Sequence, residues 1–561
     1  MNDNKIIEFS TAQKNYLRLA NKKAEQGDAV ASLGFLLSAL KNEYSVSILS
    51  SIANTYSDMG LVSLSNLYWF KYLSICDENS KSIAYEQLAI NFFYMDNLFA
   101  SSYYFHLKLS KDGYVSKDSI DEEILEFLQQ SFDKKNAYHL AYPYAKADWS
   151  ITEKMAKQAL ASGDYASAEK IYSKIPKECM NEDVSGEYAI CLFLNKKDKQ
   201  MIEVCKNSLQ LNGENVTAYC NLSSLYHSKK YKEKSKYYYN KALEVYKNTL
   251  NQAYKLATCA MEQSDHKTAN DCLKKITEDR TYDITMNYFY GISQVNVGDY
   301  EGAYNTFNEI YRIYPQDKIV EFYVNYASEL EKTGNDHLNI LPLTYQKNLP
   351  ISIVKKYKKK ISELFADPKK ALSQIKKVPV QKILEWGLIQ EDVEYSKNVV
   401  FILINSDTLW AENLLKNSLM DIDVNGETKR TIISMLVLKG CKEKLDIIAN
   451  DFLVSFKPKK IVCENKIDGD LFVASYAITL SKMAFWNIDC FDKLAFATNK
   501  IYKKLSTKIY FEEVLTDDMC ALIVCVANVD KLKDVEYVCK IFNANYKTVK
   551  KYLGMIKGEK Q

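Results

Sequence analysis

The side chains of this 561-residue chain that could carry chemistry are few in type and scattered in sequence. Five histidines, His106, His139, His227, His266 and His337, lie far apart. None forms the helically spaced pair that a metal site on one helix face requires. The 13 cysteines occur singly, and the closest two, Cys520 and Cys525, lack zinc-knuckle or redox-motif spacing. Neither GxxxxGK[ST] nor GxGxxG occurs, so no glycine loop is built to cradle phosphates. A GxSxG nucleophile turn is also missing. Carboxylates are abundant but interleaved with lysines, the pattern of a solvated helix surface. These features point away from catalysis: no catalytic residue, no metal and no cofactor are expected. What remains is binding chemistry, carried by amides, hydroxyls, aromatic rings and lysines.

The elements that position those groups follow from composition and period. Only 17 glycines and 8 prolines interrupt the chain, which disfavours turn-rich β folds and favours long helices with short loops. Tyrosine is unusually common at 42 and recurs at helical spacing, burying a ring while the hydroxyl reaches a wet edge. Net charge is +3, so no global field argues for nucleic acid or for an acidic partner. The N-terminus is polar with no apolar leader, no stretch approaches a membrane span, and the thiols are unpaired. A cytoplasmic protein without membrane contact is expected.

Gly-Asp pairs punctuate the chain at Gly27-Asp28, Gly163-Asp164 and Gly298-Asp299. The last two are separated by close to four steps of about 34 residues. Intermediate turns fall near Lys196-Lys197, Lys230-Tyr231 and Ser264-Asp265, with Gly60, Asp96-Asn97 and Gly334-Asn335 extending the series. Seven residues before each turn stands a small residue: Ala20, Ala53, Ala89, Ala156, Ala189, Ser223, Ala257, Gly291 and Ala327. A second small residue follows many of the turns, and a bulky one such as Trp69, Phe105, Tyr172, Tyr239, Leu273 or Phe307 comes four later. Small residues let two antiparallel helices approach; the large one fills the gap to the next pair. This spacing resembles the tetratricopeptide repeat over residues 12 to about 335. Residues 110–148 read as a degenerate repeat with an insertion.

The resemblance implies an all-α superhelix whose exposed inner-helix residues line a concave groove, at positions 2, 5, 6, 9 and 12 of each unit. The groove candidates are Asn221, Ser224, His227, Tyr254, Lys255, Thr258 and Tyr288. An amide at Asn221 can grip a peptide backbone with a donor and an acceptor at once. Asn221 followed by Lys255 is similar to part of the clamp that holds C-terminal carboxylates in chaperone-binding members of the family. Gly186, Ile190 and Asn251 depart from that clamp, which weighs against a full carboxylate site.

Beyond Gly334 the period fails, and residues 337–350, with Pro342 and Pro350, read as an irregular, partly extended connection. A lysine-rich helix follows around Lys355–Lys360, its apolar face formed by Ile353, Tyr357, Ile361 and Leu364. Residues 380–455 read as further irregular helix pairs. From about 466 five helices are expected, and the last two resemble a helix-turn-helix, with Asn543 at the left-handed turn position. The five-helix run is also similar to the cyclin-like boxes of basal transcription factor B. That resemblance would place Asn545, Lys547, Lys550 and Lys551 on a nucleic-acid-facing helix.

The expected organisation is therefore a repeat array over 1–335, an irregular helical layer over 336–460 and a small helical domain over 461–561. The expected function is a non-catalytic adaptor that binds a peptide or helix of another protein in its groove. The alternative is a DNA-binding regulator that uses the C-terminal unit, with the repeats as a sensor.

Overall fold

The computed structural model describes residues 15–95, 97–112, 149–161, 163–176, 180–461, 466–505, 514–529 and 532–557. The expected degenerate repeat lies almost entirely outside these residues, from 113 to 148. The chain divides into two compact units, residues 1–69 with 77–350, and residues 70–76 with 351–561. Among the described residues no helix is long and apolar enough to cross a membrane.

The first unit is a run of antiparallel helix pairs. It opens with α1 (15–25), α2 (Ala29–Asn42), α3 (Val46–Asp58), α4 (Val62–Ile75, of which residues 70–75 fall in the second unit), α5 (Lys81–Tyr94) and α6 (Leu98–Asp112). It continues with α7 (Trp149–Ala161), α8 (Tyr165–Tyr172), α9 (Glu182–Leu194), α10 (Asp198–Leu211), α11 (Val216–Ser228) and α12 (Lys232–Val245). The last five helices are α13 (Leu250–Gln263), α14 (His266–Asp279), α15 (Ile284–Val297), α16 (Tyr300–Ile313) and α17 (Lys318–Thr333).

The Gly-Asp pairs explain each turn chemically. Gly298 ends α15 in the left-handed region at φ +89°, and Asp299 caps α16 by accepting the Gly302 N–H at 3.0 Å. Gly163 and Asp164 do the same before α8. Every small residue singled out by the repeat spacing is buried, as are the large partners Trp69, Phe105, Tyr172, Tyr239, Leu273 and Phe307. Close approach is visible between α11 and α12, where Ser223 Oγ donates to the Ser235 carbonyl (2.9 Å) and Ser235 Oγ donates back to that of Ser223 (3.0 Å). This unit is an all-α superhelical array of antiparallel helix pairs.

At three turns the left-handed position is filled without glycine: Lys196 (φ +61°), Lys230 (φ +63°) and Ser264 (φ +57°). A Cβ there is strained by about 1–2 kcal/mol, partly offset by glycine's greater freedom in the unfolded chain. Lys230→Gly is therefore expected to stabilise the array by up to about 1 kcal/mol. The neighbouring Lys229, at a negative φ of −85°, should respond to glycine with the opposite sign. Paired denaturant melts of the two variants check this.

The array also contacts itself at long range. Helix α2 packs on α16, and the buried Tyr56 hydroxyl donates to the Ile313 carbonyl at 2.8 Å, 257 residues away. The first and last parts of this unit are thereby clasped together.

The second unit contains α18 (Ile351–Ala366), α19 (Pro368–Gln374), α20 (Val378–Leu388), α21 (Val393–Ile404), α22 (Leu409–Ser418) and α23 (Gly426–Leu438). The lysine-rich α18 buries Ile361 and Leu364 and sets Tyr357 edge-on to Trp386 at 5.3 Å, as its apolar spacing requires. After α23 the helical expectation for residues 380–455 is corrected. Strands β1 (Leu445–Ala449) and β2 (Phe452–Phe456) form an antiparallel hairpin, Leu445 opposite Phe456. Leu445, Ile447 and Ala449 alternate along one strand and Phe452, Val454 and Phe456 along the other, all of them buried. Asn450 turns the chain at φ +53°. β-Branched and aromatic residues at period two favour this over another helical turn.

Five helices follow: α24 (Lys466–Phe485), α25 (Phe491–Leu505), α26 (Thr516–Ala527), α27 (Val535–Phe542) and α28 (Tyr546–Lys557). The central α26 packs against the other four. Asn543 takes φ +56° and ψ +35° between α27 and α28, with Val538, Phe542, Val549 and Tyr552 buried beneath the turn.

Candidate functional site

The inner helices of the array, α9, α11, α13, α15 and α17, carry the groove candidates, and the structure sorts them. Asn221 is buried, and its Nδ2 donates to the Gly186 carbonyl of α9 at 3.1 Å. Its amide joins two repeats and is not offered to a ligand. Tyr288 is likewise a core residue, with no exposed surface. Both expectations of an exposed groove side chain are thereby corrected: the spacing that points a side chain inward points it equally at the neighbouring helix.

Ser224 Oγ donates to Glu262 on α13 at 2.5 Å, and burial raises that carboxyl above its ordinary range. Tyr254 is half-buried beneath the Arg280 guanidinium, 5.4 Å from its ring centre. Lys255 is half-buried, while His227 and Thr258 stand exposed on adjacent inner helices.

The face of α15 and α17 is not open. Residues 336–350, the expected connection, fold back across it. Asp336 gathers the start of this segment, accepting the N–H groups of Leu338, Ile340 and Leu341 at 3.1, 2.6 and 2.7 Å. Asn296, near the end of α15, then grips the main chain of Leu343 from both sides. Its Nδ2 donates to the Leu343 carbonyl at 2.9 Å, and its Oδ1 accepts the Leu343 N–H at 2.6 Å. Farther along, the Tyr288 hydroxyl donates to the Gln346 carbonyl at 2.9 Å and Tyr323 to that of Asn348 at 3.0 Å. Leu343 and Leu349 are buried, and Tyr345 packs on the apolar cluster of α13 and α14. Lys347 lies 3.0 Å from the buried Asp317 carboxylate at the start of α17.

The two-sided amide grip anticipated for Asn221 is thus made by Asn296. Asn296 stands one position beyond the last expected groove position of its unit, which is why spacing missed it. The only sequence signal was an amide near the end of an inner helix followed by an irregular proline-containing stretch.

A histidine completes the contact. His266 Nδ1 lies 3.0 Å from the Tyr345 hydroxyl and 3.3 Å from Asn296 Nδ2. An amide NH2 can only donate, so Nδ1 acts as the acceptor and the ring is neutral. Burial lowers the His266 pKa, opposed by the Asp265 carboxylate, while burial pushes the Tyr345 hydroxyl up to about 12. Asp265, Tyr345 and Asn296 are the groups that decide its charge state. Because the folded pKa lies below the unfolded one, the unfolded chain binds more protons between the two values. Stability is full above about pH 6.5 and declines as pH falls toward the folded pKa. His266→Gln should flatten that acid limb by up to one proton, a difference read from thermal melts between pH 7.5 and 5.5.

The C-terminal candidates are placed differently. Asn545 caps α28, its Oδ1 accepting the N–H groups of Lys547 and Thr548 at 3.0 and 3.2 Å, while its own N–H donates to Asp518. Its amide oxygen is committed to the helix and is not a free base-reading group. Lys547, Lys550 and Lys551 are exposed, with Lys550 and Lys551 lying beside the rings of Tyr546 and Tyr552. Lys540, on the neighbouring α27, pairs with Glu536 at 3.1 Å. Among the described residues no group of three His, Cys, Asp or Glu side chains is arranged to hold a metal ion.

No protein-family model matches the chain, and no curated protein matches it. Solved structures do. Human IFIT1, as a dimer with PPP-AAAA, is 14% identical over 74% of this chain and 91% of that one, with a TM-score of 0.28. The TPR2AB domain of yeast Sti1 in complex with pHSP90 is 12% identical over 48% of this chain and 98% of that one, with a TM-score of 0.20. A tetratricopeptide repeat protein from Parabacteroides merdae is 10% identical over 57% of this chain and 99% of that one, with a TM-score of 0.21. At these scores the likenesses bear on no question of what this chain binds.

Proposed function

We propose that this protein is a non-catalytic interaction scaffold whose inner helices bind a segment of another protein through its main chain. The observation that carries this is the Asn296 amide, which takes both hydrogen-bonding groups of Leu343 at 2.9 and 2.6 Å. Side chains that satisfy a peptide's backbone, with apolar pockets beside them for alternate side chains, are the equipment of a peptide-binding groove. The adjoining face of α11 and α13 carries the exposed His227 and Thr258 and the half-buried Tyr254 and Lys255 at inner-helix positions and supports the same role.

The test places a photo-crosslinking residue at Thr258 or His227 of the full-length protein, with Lys236 on the outer helix α12 as control. A defined protein adduct at the inner positions and not at Lys236 supports the scaffold. Adducts confined to nucleic acid, or equal labelling at all three positions, overturn it.

A further inference from the structure

The segment that covers α15 and α17 has the chemistry of a ligand more than of a linker. A linker needs only to span its ends, and its polar backbone is ordinarily satisfied by water. Here the backbone is satisfied by side chains: Asn296 and Tyr288 of α15, which does not adjoin the segment in sequence, and Tyr323 of the preceding α17. Its side chains are received individually. Leu343 and Leu349 are buried, Tyr345 meets His266, and Lys347 meets a carboxylate only 3% exposed. Asp317 Oδ1 caps α17 by accepting the N–H groups of Ile319 and Val320 at 2.9 and 3.0 Å, and its buried Oδ2 is left to face Lys347, so a basic residue at this point completes the pairing of the carboxylate.

We propose that residues 339–350 are a resident self-ligand of the α15–α17 face, and that this face also takes a peptide of the same chemistry from another chain. The recognised pattern is an aliphatic residue held by Asn296, an aromatic residue two positions on, a basic residue two beyond that, and a final aliphatic residue. In this chain it reads Leu343-Thr344-Tyr345-Gln346-Lys347-Asn348-Leu349. The incoming peptide competes with a tethered copy already in place, so its apparent affinity falls by the fraction of time the site stands open. This inference rests on the scaffold reading and adds the identity of the ligand and the reason the site is shielded.

The probe is a fluorescent peptide of residues 339–350, titrated onto full-length protein. Wild type should bind it weakly. The double variant Leu343→Ser/Tyr345→Ser, which loosens the resident copy and leaves the receiving face intact, should bind it at least about tenfold more tightly. Adding Asn296→Ala should remove that gain. A loosened variant of unchanged helicity that binds no better than wild type overturns the proposal, as does a gain that survives Asn296→Ala.

If the double variant does not fold, hydrogen exchange on wild type decides. Amides of 340–349 that exchange by an opening separate from α15 support the proposal; exchange together with α15 overturns it. The two readings fail separately, because protein crosslinking at Thr258 can persist whatever the 339–350 peptide does.

Discussion

Phe307→Ala should lower the stability of the array by about 3–5 kcal/mol, the range for removing a fully buried aromatic side chain. Phe307 has no exposed surface and stacks on Tyr323 with ring centres 5.3 Å apart. It also meets Tyr288 edge-on at 5.9 Å. Those two tyrosines donate to the Gln346 and Asn348 carbonyls, so loss of the ring behind them should loosen the 339–350 segment as well. Urea unfolding followed by circular dichroism measures the first effect, and faster amide exchange at 343–349 measures the second. The site is filled to contact: a methyl group on Gly291 would fall 2.7 Å from the Phe307 ring. Gly291→Ala alone should therefore destabilise by about 1–3 kcal/mol through overpacking, and by much less once Phe307 is shortened to leucine. Additive effects would show that the two residues do not share the space as described.

The second large effect is one of pH, in the other unit. Lys429 on α23 is 4% exposed, and its Nζ donates to the Ile448 carbonyl of β1 at 2.9 Å. Burial lowers its pKa to about 8, opposed by Asp421 and Asp423. An unfolded lysine titrates near 10.4, so between the two values the unfolded chain holds the extra proton and stability rises with pH. Between pH 7 and pH 10 the gain from this residue is on the order of 3 kcal/mol. Lys429→Met should flatten the rise. Denaturant midpoints of both proteins at pH 7, 8 and 9.5 decide it, and a rise that persists undiminished in the variant would rule out Lys429 as its source.

Much of the array is legible in the residues because its determinants are local. A glycine able to take positive φ beside an aspartate able to cap the next helix fixes a turn within a few residues. Ala156, Ser223 or Ala327 then report close helix packing by their size alone. The hairpin at 445–456 was obscured because short apolar runs suit helix and strand equally, and register with the neighbouring Leu419, whose carbonyl accepts the Ile448 N–H, is a tertiary matter. The site was legible only in kind. An amide grip was expected, but which asparagine makes it depends on where the chain returns after Gly334. Asn221 and Asn296 look alike in sequence; one meets the neighbouring helix and the other meets Leu343.

The clasp between Tyr56 and Ile313 changes how the array should come apart. An open solenoid contacts only its neighbours and unravels piecemeal from its ends, because each terminal repeat is held on one side. Here α2 and α3 are held against α16, so unravelling of the helices between them must first break a contact closed across most of the unit. Such closure is slow to form, since a long loop is ordered before the contact that rewards it. Once formed, it couples the opening of the helices that it encloses. Tyr56→Phe, which removes one hydrogen bond and little volume, should broaden the unfolding transition of the array more than it shifts the midpoint.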